Sequence, residues 1–115
     1  MGYYTWFNLD AYENHSYVTT EREEEICTAA SEITDIAFDH FYDLSYDSMK
    51  WYDHDDDMLK LSKMFPDVTF VLYGEGEERD DNWVTYYKNG DSEYCGARIV
   101  YDRPTKDFAK SCHQY

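Results

Sequence analysis

The run Val68-Thr69-Phe70-Val71-Leu72-Tyr73 is apolar or β-favouring at every position, and it is closed by Pro66-Asp67 on one side and Gly74-Glu75-Gly76-Glu77-Glu78 on the other. A short apolar run between such breakers reads as a strand covered on both sides. A central strand requires a partner at each edge and a layer over at least one face, so the chain must build a sheet. Two downstream segments can supply partners: Asn82 to Tyr87 and Glu93 to Tyr101, joined by Lys88-Asn89-Gly90-Asp91. The Asn-Gly pair favours the positive φ angles of a tight hairpin.

Upstream, Tyr3 to Leu9 reads as a first strand, rich in aromatics, and Ser48-Met49-Lys50-Trp51-Tyr52 as a short second one. Thr20-Glu21-Arg22-Glu23 fits a capping box. Ile26, Ala29, Ala30, Ile33, Ala37 and Phe41 then recur at helical spacing, which predicts a long helix from about Glu21 to Tyr42. Asp55 or Asp56 can cap a second helix with Met58, Leu61 and Phe65 on one side, ended by Pro66. The expected fold class is α+β: a single-domain, ferredoxin-like two-layer sandwich of about five strands with two helices on one face. The sandwich should span 1–103, with 104–115 a partly ordered tail anchored by Phe108.

Twenty-five Asp and Glu against ten Lys and Arg give a formal charge of −15 over 115 residues. Hydrophobic residues at 43% and aromatics at 19% are too many for an acidic disordered tail, so the chain folds. No apolar run approaches the ~18 residues of a membrane span, and the start lacks a secretory n-region and h-region. With three widely spaced cysteines (Cys27, Cys95, Cys112) and no CxxC, a reducing cytoplasm is expected. Such an excess of carboxylates repels nucleic acid and anionic membranes and attracts basic surfaces.

Crossover helices between roughly parallel strands would start at the carboxyl edge of the sheet. That geometry predicts one acidic edge made of three clusters: Glu21, Glu23, Glu24 and Glu25; Asp53 to Asp57; and Glu75 to Asp81. The candidate binding residues are Asp53, Asp55, Asp56, Asp57, Glu75, Glu77, Glu78, Asp80 and Asp81, exposed carboxylates standing in for phosphates before a basic partner. Acids at helix N-termini also complement the macrodipole, and acidic loops also favour solubility. Trp51, Tyr52 and Trp83, interleaved with these acids, are interface anchors or packing residues.

Chemistry is hard to find. The Asp53-His54-Asp55-Asp56-Asp57 run lacks the glycine and distal Glu of an EF-hand loop, so no metal is expected. Gly74-Glu75-Gly76 lacks a phosphate-binding pattern, and its glutamate would repel a phosphate. His15, His40, His54 and His113 belong to no acid–base signature, while Cys27 and Cys95 read as small buried residues. No catalytic residue or cofactor is expected, and the chain reads as a non-enzyme.

Trp51-Tyr52-Asp53-His54, Met58, Leu61-Ser62-Lys63, Phe65-Pro66-Asp67-Val68, Phe70, Leu72, Gly74-Glu75-Gly76-Glu77-Glu78, Asp81, Trp83, Tyr86-Tyr87 and Asn89-Gly90 form a pattern over about a third of the chain. It resembles small phage and mobile-element proteins with a YubB-type ferredoxin-like domain. The resemblance implies an α+β sandwich in a viral or prophage setting, acting in the host bacterial cytoplasm, and carries no catalytic residues. In size and charge the chain is also similar to acidic phage inhibitors of host defence, of the anti-CRISPR and anti-restriction kinds. The expected function is such an inhibitor, using its acidic face as a nucleic-acid mimic to block a basic nucleic-acid-binding host protein such as a CRISPR effector nuclease. The alternatives are a non-inhibitory interaction module of phage replication or transcription, and a small-molecule-binding or enzymatic domain with a crevice near Gly74 to Glu78.

Overall fold

A computed structural model describes residues 2–36 and 38–108. The strands are β1 (Thr5–Glu13), β2 (Ser16–Tyr17), β3 (Thr69–Gly76), β4 (Asn82–Lys88) and β5 (Asp91–Gly96), and the helices are α1 (Thr20–Ala30) and α2 (His54–Met64). They form an α+β arrangement with one open sheet in the order β2-β1-β3-β4-β5. Every neighbouring pair is antiparallel. The expected apolar run is the middle strand; of the two downstream segments β4 pairs with it directly, β5 pairs with β4, and its other partner is β1.

Strand alternation sorts the two faces. The registers Leu9↔Leu72, Ala11↔Phe70 and Phe70↔Tyr87 place these side chains on the same side of the sheet. There they share one buried core with Phe7, with Ile26, Cys27, Ala29 and Ala30 of α1, and with Met58 and Leu61 of α2. Both helices therefore lie on that face. Trp6, Asn8 and Asp10, Val71, Tyr73 and Glu75, and Asn82, Val84 and Tyr86 have the opposite parity and form the other, open face.

The long helix expected from Glu21 to Tyr42 stops at Ala30. Its N-cap is Thr19, whose side-chain oxygen accepts from the Arg22 amide at 3.2 Å, so the expected capping box on Thr20 is replaced by a simple cap one residue earlier. Beyond Ser31 the run Ile33-Thr34-Asp35-Ile36 combines β-branched residues with an acid that competes for backbone bonds, a poor helix sequence. Carboxylates then take the freed amides. Glu23 Oε2 accepts from Phe41 N at 2.9 Å, and Asp43 Oδ2 accepts from Asp39 N at 2.9 Å and His40 N at 3.0 Å. Phe41 and Leu44 enter the core from a 3-10 turn, Phe41–Ser45. Ala37, which the expected helix used, lies outside the described residues.

The expected strand at 48–52 is a single bridge, in which Thr5 and Met49 exchange backbone hydrogen bonds at 2.9 Å each way, and Trp51 continues into the core. β5 ends at Gly96 rather than reaching Tyr101, and residues 97–108 are exposed. Phe108 is exposed too and anchors nothing in the core. No helix among the described residues is long and apolar enough to cross a membrane.

The β4–β5 turn has Asn89 at φ 47° and Gly90 at φ 80°, as the Asn-Gly pair predicts. It is fastened to α2 by Ser62, a fully buried residue whose hydroxyl donates to Leu59 O at 2.8 Å and accepts from Gly90 N at 2.9 Å. Replacing Ser62 by Ala leaves the Gly90 amide without this partner. The Ser62→Ala change is expected to cost about 1–3 kcal/mol of unfolding free energy in urea titrations; an unchanged midpoint would show that the hairpin does not depend on this bond.

Candidate functional site

β1 begins where β3 ends, since Thr5 is opposite Gly76. α2 brings its N-terminus to the same end of the sheet. The His54 ring stacks on Trp83 at 5.0 Å and 15°, lies 5.5 Å from Phe7, and is flanked by Trp51. Trp83 is opposite Gly74, where an added Cβ would fall 2.1 Å from the indole, so only glycine lets the ring lie across β3. This clasp joins Asp53 to Asp57 and Glu75 to Asp81, two clusters distant in sequence, at one end of the molecule.

The third cluster lies elsewhere. β2 pairs at Tyr12 and Glu13, the far end of β1, and α1 starts from there, with Arg22 holding Glu13 at 3.3 Å and Glu25 at 3.0 Å. The expectation of three clusters on one edge assumed roughly parallel strands. Because β1 and β3 are antiparallel, their carboxyl ends are opposite, and Glu21, Glu23, Glu24 and Glu25 are separated from the other acids.

Several candidate binding residues are occupied inside the protein. Asp57 Oδ2 accepts from the Trp51 indole N–H at 2.8 Å. Asp55 Oδ1 accepts from the Tyr87 hydroxyl and lies 3.8 Å from His54 Nε2. Burial, followed by this bond to Asp55, pushes the Tyr87 phenol well above its ordinary range. Trp51 O lies 2.8 Å from His54 Nδ1, and as a carbonyl can only accept, Nδ1 carries the proton. Asp81 Oδ2 accepts from the Tyr3 hydroxyl at 2.6 Å, which raises the Tyr3 pKa, and Glu77 accepts from the Tyr4 amide. Tyr3 N donates to the Tyr52 hydroxyl at 2.8 Å, closing the N-terminal segment over this end.

Asp53, Asp56, Glu75, Glu78 and Asp80 are the remaining candidates, and all are exposed. Asp53 occupies the N-cap position of α2 without a side-chain capping bond. Of the aromatic candidates, Trp51 is core, Trp83 is half-buried in the clasp and Tyr52 is exposed. Of the three acids in the first turn of α2, Asp55 and Asp56 are exposed, Asp55 with a bond to Tyr87, while Asp57 is half-buried against the Trp51 indole. Asp57→Ala is expected to cost about 1–3 kcal/mol in urea unfolding at neutral pH by stranding the indole N–H. Asp56→Ala loses about 0.3–1 kcal/mol of interaction with the helix N-terminus. Equal effects would contradict the assignment.

Of the open face, the sequence indicated only a crevice near Gly74 to Glu78. Two hollows lie on it, one of about 670 Å³ beside Trp6, Asp10, Glu75 and Val84 and one of about 730 Å³ beside Tyr12, Asp67 and Lys88, with Tyr73 lining both. Cys95, expected to be buried, is exposed here because β5 is an edge strand. Cys27 is buried as expected, and burial pushes its thiol up to about 12, leaving it protonated and unreactive. Among the described residues no group of three His, Cys, Asp or Glu side chains is placed to hold a metal ion. Cys112 and His113 lie outside the described residues.

Asp10 is the most constrained acid on this face. Burial raises its carboxyl pKa, and none of the ion pairs among the described residues engages it. A raised folded-state pKa means that the folded protein binds more protons than the unfolded chain between the two values, so stability falls as pH rises through that window. Asp10→Asn is therefore expected to raise the unfolding free energy at pH 7, with the gain shrinking as the pH drops below the ordinary carboxylate range. Urea titrations at pH 7 and pH 3 check this, and a gain of equal size at both would remove the carboxylate as its cause.

No family model, no curated protein and no solved structure matches the chain.

Proposed function

We propose that this chain is a phage-encoded anti-defence inhibitor of the anti-CRISPR type, which presents an acidic end to the nucleic-acid-binding surface of a host effector nuclease. The observation that carries the reading is the convergence of Asp53, Asp56, Glu75, Glu78 and Asp80, exposed and drawn from two separate segments, on a chain of charge −15. Nucleic-acid-binding proteins hold phosphates with Lys and Arg arrays. Carboxylates in a fixed arrangement compete for the same cations. The hydrogen bonds of Asp55, Asp57, Glu77 and Asp81 hold the backbone that carries the exposed acids, so the charges are preorganised rather than borne on loose loops. The partner is a basic protein of the bacterial host cytoplasm, and neither nucleic acid nor membrane is bound directly.

The phage setting rests on the YubB-type likeness in sequence, with which the α+β form is compatible. We take the domain as a variant of the ferredoxin-like sandwich in which the two helices follow one another, between β2 and β3, instead of alternating with strands.

The test separates the acidic end from bulk charge. Asp53→Asn, Asp56→Asn, Glu78→Gln and Asp80→Asn combined remove four charges from the end, and Glu21→Gln, Glu24→Gln, Glu32→Gln and Asp35→Asn remove four from the α1 side. In inhibition assays against a panel of purified CRISPR effectors, the first set is expected to raise the inhibitory concentration about tenfold or more, mostly through slower association, and the second far less. The difference should shrink as added salt shortens the Debye length below ~8 Å. Equal losses would mean that net charge alone matters, and no inhibition of any effector by the parent protein would refute the reading.

A further inference from the structure

The open face carries exposed aromatic side chains around the buried Val71. Trp6, Tyr73 and Tyr86 stand there at 45%, 40% and 44% exposure, while Phe7, Leu9, Ala11, Phe70, Leu72 and Tyr87 on the helix side of the same strands are buried. Tyr73 lines both hollows, so they lie side by side along β3 from Glu75 back to Thr69, and we read them as one shallow trough with Tyr73 between its halves. Six steps at about 3.3 Å make it roughly 20 Å long, which suits an extended polypeptide better than a compact metabolite.

Its charge narrows the occupant. Glu75, Asp10, Asp67 and the Arg22-paired Glu13 contribute carboxylates along the trough, against Lys88 as the one Lys or Arg in its lining. Aromatic side chains on the open face of an antiparallel sheet can stack nucleobases, but here carboxylates would meet the phosphates, so nucleic acid is repelled. A second copy would bring another −15 charges to the contact. A guanidinium group suits both features, since it stacks on Trp and Tyr faces and pairs with carboxylates. The side chains of a bound strand would repeat on one side every second residue, matching Val71, Tyr73 and Glu75 on β3.

We propose that this trough binds an extended segment of the partner carrying arginines at alternate positions, their guanidinium groups lying on Trp6, Tyr73 and Tyr86 and pairing with Asp10 and Glu75. This rests on the reading that the partner is a basic protein, and it adds a specific surface to an electrostatic one. The uncompensated, half-buried carboxylate of Asp10 then acquires a role: its cation arrives with the partner.

The probe is a synthetic (Arg-Ser)5 peptide, measured by calorimetry against the full chain at physiological salt, with (Lys-Ser)5 and a ten-nucleotide single-stranded RNA as comparators. The arginine peptide is expected to bind several-fold more tightly than the lysine peptide, because stacking favours guanidinium over ammonium, and the RNA not at all. Tyr73→Ala with Tyr86→Ala, which changes no charge, and the isosteric Asp10→Asn are each expected to weaken peptide binding about tenfold, with circular dichroism confirming the fold. Unchanged affinity in Asp10→Asn and in the tyrosine pair, no binding of the arginine peptide, or RNA bound in competition with it would overturn the proposal. Losses confined to the four-site variant of the acidic end would dismiss the trough and leave the inhibitory reading standing. Losses confined to the trough variants would do the reverse.

Discussion

The structure depends on the burial of β3 between β1 and β4, with Phe70 and Leu72 fully enclosed beneath two helices. Those two side chains and their cross-strand neighbours Leu9, Ala11 and Tyr87 form the floor on which α1 and α2 rest. Fully burying an aliphatic or aromatic side chain contributes on the order of 1.5–3 kcal/mol. A chain carrying −15 charges must offset its own self-repulsion, and this single packed layer is where it does so. The cost of that economy is that the other face of the sheet is left open.

The acids divide into two roles that composition cannot tell apart. Glu23 and Asp43 take backbone amides where α1 ends, Asp57 holds the Trp51 indole, and Asp81 holds Tyr3. These carboxylates help to maintain the fold. Asp53, Asp56, Glu75, Glu78 and Asp80 point to solvent near one another. The aromatic clasp of His54, Trp83, Phe7 and Trp51 keeps the two groups of acids in register by fixing the start of α2 against β1 and β4.

What was legible in the sequence was whatever local chemistry decides. The strand at Val68 to Tyr73, the Asn89-Gly90 turn and the stop at Pro66 follow from backbone preferences and short apolar runs. The expected helix overruns the actual α1 boundary because the helical spacing of apolar residues persists through Ile33 to Phe41 after the backbone has left the helix, and periodicity alone cannot see Glu23 reaching Phe41 across 18 positions. The Asn14-His15 turn, with φ of 54° and 66°, hid because neither residue is glycine, and with it went the direction in which α1 leaves the sheet. The placement of the first acidic cluster failed because β1 and β3 run antiparallel, which sets their carboxyl ends at opposite ends of the sheet. The open-face trough leaves its mark only in the alternation Trp6-Asn8-Asp10 and Tyr73-Glu75, which means little until register puts those residues side by side.

Surface engagement is the central claim, and hydrogen–deuterium exchange on the chain mixed with an effector that it inhibits addresses it most directly. Protection is expected at 53–57 and 75–81 and along the backbone of β1, β3 and β4, with the N-terminal turn of α1 exchanging as in the free protein. Protection concentrated at 20–25, or spread evenly over the surface, would contradict a directed acidic end and its adjoining trough.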